Sequence, residues 1–135
     1  MQVYKRILVT MDCSDTDDAI VEHISAVALQ NQAKVFLLHV VHSHTLDQDR
    51  ALRSRANLCL THHREAMTKS GVDAEILIRC GEPDDEILKE IEENQYDLVA
   101  MATHGHSFIG DLLFGSVSRT LKHKISIPLL LIGGR

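Results

Sequence analysis

The sequence predicts one α/β domain: a five-stranded parallel sheet with helices on both faces. Three features of the chain point to it. Arg6 to Met11, Lys34 to Val41, Asp97 to Ala102 and Ile127 to Ile132 are short, nearly continuous apolar runs, as strands covered on both faces are. Amphipathic helical patterns lie between them. The connections are short, so the order β-α-β-α-β-α-β-α-β folds with right-handed crossovers into a single unit over residues 1–135.

Each element has its own signals. The first strand, RILVTM, ends at Asp12. Ser14 and Asp17 then form a capping-box-like S-x-x-D, and Ile20, Ile24, Val27 and Ala28 share one helical face. The second strand, KVFLLHVV, contains His39, expected to be a core histidine with its hydrogen bonds met. A helix from about Asp47 to Lys69 carries Leu52, Ala56, Leu60 and Met67 on one stripe, and Gly71 stops it. Ala74 to Arg79 alternates apolar and polar residues, which suits a strand near an edge. Pro83 opens a third helix with Ile87, Leu88 and Ile91 turned inward. A fourth begins at Gly115-Ser116, uses Val117 and Leu121, and ends on Lys122, His123 and Lys124, whose charges suit a helix C-terminus. The last strand should form the other edge.

Composition narrows the function. At 135 residues the chain can bury about two-thirds of its unfolded surface. Its formal net charge of -5, with basic residues scattered, argues against nucleic acid or an anionic membrane as partner. No segment approaches the roughly 18 apolar residues of a membrane span, and MQVYKRILVTMD carries no secretory signal pattern. Cys13, Cys59 and Cys80 are odd in number and far apart, which fits a reducing cytoplasm and no disulfide framework. Cys13 is expected to be a small apolar filler.

Ligands of such sheets bind beyond the carboxyl ends of the strands, where the strand order reverses. Two strand ends carry suitable chemistry: Asp12 after the first strand, and residues 101–118 after the fourth. Phosphate binding needs unhindered backbone N–H groups and a helix N-terminus. Gly115-Ser116-Val117-Ser118 offers both, with two hydroxyls, although a simple Gly-Ser helix cap reads equally well. Gly110 to Ser116 reads G-x-x-x-x-G-S without the Walker lysine, so a P-loop NTPase is not expected. His104 and His106 flank Gly105, where phosphate contact is the functional reading and loop packing the plain one. His42, His44, His62 and His63 lack the spacing of a metal site. The cluster Asp15, Asp17 and Asp18 would repel phosphate from the first helix. No nucleophile–base–orienter set can be named.

The nine residues between Gly105 and Gly115-Ser116 make this segment resemble the second half of the G-x2-G-x9-G-(S/T) signature of the universal stress protein family. The likeness covers the whole chain. Arg6 to Asp12 with Ser14 is similar to the family's first strand and acidic turn. Leu38 to Val41 is similar to its second strand, Gly81 to Pro83 to the opening of its third helix, and Ile127 to Ile132 to its last strand.

The resemblance implies a Rossmann-like fold of the adenine nucleotide alpha hydrolase type. It implies ATP as ligand, with AMP or ADP as alternatives and Mg²⁺ as a companion ion. Asp12 and Val40 would lie by the adenine and ribose, with Thr10 and Met11 leading into them. Met101 and Ala102 would lie beside the nucleoside, and Gly105, Gly115, Ser116 and Val117 around the phosphates, with His104, His106 and Ser118 counted in the same site. Ala102 stands where the motif's first glycine belongs. Its methyl could crowd the ribose or demand a backbone angle that glycine takes freely, but alanine is the least bulky alternative and keeps its N–H, so ATP stays the expected ligand. The apolar last strand, an exposed edge, is expected to pair with its twofold copy in a homodimer. The function expected is that of a cytoplasmic, adenine-nucleotide-binding regulatory protein with at most slow hydrolysis. The alternatives are a dimeric interaction module without nucleotide, and an ATPase.

Overall fold

The computed structural model describes residues 3–14, 17–42, 44–102, 117 and 119–133. The elements follow as β1 (Arg6–Thr10), α1 (Asp17–Asn31), β2 (Lys34–Val41), α2 (Leu46–Lys69), β3 (Asp73–Cys80), α3 (Pro83–Glu93), β4 (Leu98–Ala102) and β5 (Leu129–Ile132). Residues 119–124 are helical and lead into β5. All strand pairs are parallel and the order is β3-β2-β1-β4-β5. The doubly wound sheet expected from the sequence is therefore present, with β3 and β5 as its edges.

Strand alternation sorts the core into two layers. Ile7, Val9, Val35, Leu37 and Ala100 pack with Ile20, Ile24, Leu60 and Met67 of α1 and α2. Leu8, Phe36, Leu38, Val99 and Met101 pack on the other face with Ile87 of α3 and with Leu121. Each fully buried Leu or Ile of these layers stabilises the fold by about 1.5–3 kcal/mol.

Helix ends follow local chemistry. Thr45 caps α2 by accepting from the Gln48 N–H at 3.1 Å. Gly71 closes the helix at φ +91, where only glycine sits without strain, and the Val72 N–H returns to Met67 O at 2.9 Å. Pro83 lies in the first turn of α3.

α1 is described from Asp17, whose N–H donates to Ser14 O at 3.1 Å, and Cys13 before it takes φ +59. One boundary, the start of β5, differs from expectation. β5 begins at Leu129 and not at Ile127: Pro128 has no N–H for the ladder, though its carbonyl accepts from the Val99 N–H at 3.1 Å.

Candidate functional site

The strand order places the switch point between β1 and β4. From β1 the chain winds outward through β2 to β3, then α3 carries it back across the sheet to β4. The chain leaving β1 goes to α1 on one face of the sheet and the chain leaving β4 to helical residues 119–124 on the other, and such a parting at the carboxyl ends opens a crevice. Val9 pairs with Ala100, so Thr10, Met11 and Asp12 leave the sheet beside Met101 and Ala102. Met101 is buried, Val40 and Val117 are half-buried, and all three belong to the α3-side layer. Thr10 joins that side by alternation with Leu8. Met11 is buried in the opposite layer, and its carbonyl lies 2.7 Å from His39 Nδ1. His39 is thus half-buried with a partner, as expected, and it anchors the backbone just before Asp12.

Asp12 is exposed at the mouth of the crevice. Its Oδ1 accepts from the Ser14 N–H at 3.1 Å and from Ser14 Oγ at 2.6 Å, an Asx turn that fixes the carboxylate. Behind it, Asp17 is 1% exposed. Burial, then the charge and hydrogen bond of Asp12, push the Asp17 carboxyl up to about 7. Asp17 is therefore not part of an exposed acidic face, which corrects the expectation that it repels phosphate. At neutral pH the Asp17 carboxyl is therefore about half protonated.

Ala102 lies within β4, paired with Ile132, and its φ is not in the left-handed region. By alternation its methyl belongs to the α1 and α2 side, away from Met101. The six remaining site candidates, His104, Gly105, His106, Gly115, Ser116 and Ser118, lie outside the described residues, as does Asp15.

One correction concerns the cysteines. Cys13 and Cys59 form a disulfide, with Cα atoms 6.1 Å apart across 46 residues of sequence. The left-handed turn at Cys13 aims its side chain at α2, so it is no passive filler. Spacing gave no hint, because the pair is made by the docking of α2 on the β1–α1 loop. Donor atoms of Cys13, Asp17 and Cys59 lie within 4.8 Å of one another, yet the sulfurs are spent on each other. A cleft of about 410 Å³ lined by Ile91, Tyr96, Lys124 and Ile127 opens at the opposite end of the sheet, where β4 and β5 begin. It is remote from the switch point.

A doubly wound, Rossmann-like domain with a carboxylate and an apolar wall at its switch point is a class with many members. The comparisons single out one. The pattern of the universal stress protein family matches residues 3–133, and the chain belongs to that family. It is 26% identical to universal stress protein YxiE of Bacillus subtilis, over 96% of this chain and 99% of that protein. The solved structure of protein MJ0577, from Methanocaldococcus jannaschii, superposes with a TM-score of 0.86 at 25% identity, covering 98% of each chain. A universal stress protein from Archaeoglobus fulgidus, solved in complex with dAMP, superposes at 0.74 with 22% identity, covering 97% of this chain and 99% of that one.

Proposed function

We propose that this chain is an adenine-nucleotide-binding regulatory protein of the stress response, with ATP as its ligand, acting as a homodimer in the cytoplasm. The observation that carries the reading is the meeting of Asp12 with the end of β4 at the switch point, beside Val40 and Met101. Val40, Met101 and Val117 offer an apolar wall suited to adenine. Thr10 and Asp12 offer a hydroxyl and a fixed carboxylate for ribose hydroxyls, while Met11 and Ala102 shape the floor. On the sequence motif, His104, Gly105, His106, Gly115, Ser116 and Ser118 form the phosphate side, where Mg²⁺ accompanies the nucleotide. The ordinary strand backbone at Ala102 supports retained binding, since the feared glycine-only angle is not needed. The dAMP complex of a relative supports the adenine nucleotide class.

Hydrolysis is slow at most, because Asp12 is committed to an Asx turn and the Asp17 carboxyl behind it is 1% exposed. Mass spectrometry of the small molecule released from protein denatured immediately after isolation tests the reading. An adenine nucleotide at a substantial fraction of the chain supports it. Binding of a different ligand class at this site overturns it.

A further inference from the structure

Cys13, Cys59 and Asp17 converge at a place that neither the core nor the nucleotide reading uses. Cys13 lies in the β1–α1 loop, Cys59 on α2, and Asp17 is the first residue of α1. Their side chains meet although the two cysteines are 46 residues apart. Asp17 Oδ2 lies 4.0 Å from Cys59 Sγ, and Asp17 is almost fully removed from solvent. Both cysteines are half-buried, so a small molecule can reach them. A buried carboxyl against one sulfur of a bonded pair is an arrangement suited to proton transfer during thiol–disulfide exchange.

We propose that Cys13 and Cys59 form a reversible dithiol–disulfide centre in which Asp17 takes the proton of Cys59. The oxidant is a small-molecule disulfide. The Cys13 thiolate attacks one of its sulfurs, the small disulfide bond breaks, and the first thiolate departs with the proton that Cys13 gave up. Cys59 then passes its proton to the Asp17 carboxylate and attacks the Cys13 sulfur. The mixed disulfide breaks, and the second thiolate leaves with the proton held by Asp17. Two protein thiols are oxidised to one disulfide, and one small disulfide is reduced to two thiols. Asp17 is suited to the task because burial and Asp12 bring its carboxyl to about 7, so it accepts and returns a proton at neutral pH. Cys80 stands apart: it is exposed and its thiol donates to Asp49 Oδ1 at 3.3 Å. In a reducing compartment such a pair acts as a redox sensor and not as a permanent staple.

The centre stands independently of nucleotide binding and is tested without nucleotide. The reduced full chain is incubated with oxidised glutathione, alkylated, digested and mapped by mass spectrometry. The expected result is a cross-linked peptide joining residues 13 and 59, reversed by dithiothreitol, with Cys80 alkylated. Cys59→Ser should stop the reaction at a glutathione adduct on Cys13, a readout that does not depend on altering Asp17. Asp17→Asn, checked for folding by circular dichroism, should slow cross-linking by at least about tenfold. Absence of the 13–59 peptide, an adduct only on Cys80, or an unchanged rate in folded Asp17→Asn overturns the proposal. A reduced chain that binds Zn²⁺ one to one and does not cross-link overturns it in favour of a metal site.

Discussion

Asp17 carries a proton that most aspartates would have lost, and this has a consequence for stability. Its folded value of about 7 lies above its ordinary 3.8, because burial and Asp12 disfavour the charge. The folded chain therefore holds more protons than the unfolded chain between those limits, and stability falls as pH rises through the window. Asp17→Asn removes the titration. The melting temperature of the variant relative to wild type should increase from about pH 4 to about pH 7 and level off above it; a constant difference contradicts this. His63 acts in the opposite sense. It is buried on α2, and burial and His62 lower its value below 6.5, with Asp18 partly offsetting them. Its contribution is lost as pH falls below about 6.5. At Ala102 the unstrained strand backbone predicts that Ala102→Gly changes ATP affinity by less than about tenfold, within about 1.4 kcal/mol, by titration calorimetry. Creation of binding in the variant from none in wild type would show that the methyl blocks the site.

Among residues, the place of Asp12 after the first strand was legible because strand ends and their polar caps are local signals, whereas Val40 and Met101 came from the family resemblance. The Cys13–Cys59 pair, the burial of Asp17 and that of His63 were not, since each depends on how α2 docks against the β1–α1 loop. The stripe on α2 was read as Leu52, Ala56, Leu60 and Met67, whereas the buried set is Ala56, Leu60, His63 and Met67. Polarity hid His63, although its spacing from Leu60 and Met67 placed it on the same face.

At the scale of elements, one polar network ties edge strand β3 to α3. Arg79 donates to Glu86 at 3.0 Å, to Glu90 at 2.9 Å and to Glu93 at 3.0 Å. Glu90 is buried and also accepts from Tyr96 Oη at 2.6 Å and from Asn94 Nδ2 at 2.7 Å. Burial disfavours the Arg79 charge, but hydrogen bonds to Glu90, Glu86 and Glu93 outweigh it and raise its value. Removing one member of a buried ionic group strands the others. Glu90→Ala should destabilise the fold by about 3 kcal/mol in urea unfolding; a change below about 0.5 kcal/mol would show that the network is solvated and weak. Strand positions were legible because a doubly covered strand is a run of apolar residues. The left-handed turn at Cys13 was not, since no glycine or asparagine announces it.

For the whole molecule, the two sheet edges differ. β3 carries Asp73, Glu75 and Arg79, and its charges guard it. β5 is Leu-Leu-Leu-Ile with Leu131 43% exposed, and it has no charge of its own. We expect twofold pairing there, so Leu131→Arg should convert a dimer to a monomer in analytical ultracentrifugation at micromolar concentration. A wild-type monomer under those conditions removes this part of the account. Calorimetric titration of ligand-stripped protein with Mg-ATP tests nucleotide binding at the β1/β4 switch point. Saturable binding of one nucleotide per chain is expected, weakened about tenfold or more by Asp12→Ala through loss of a charged hydrogen-bond acceptor. No detectable heat, together with no rise in melting temperature on adding Mg-ATP, would contradict it.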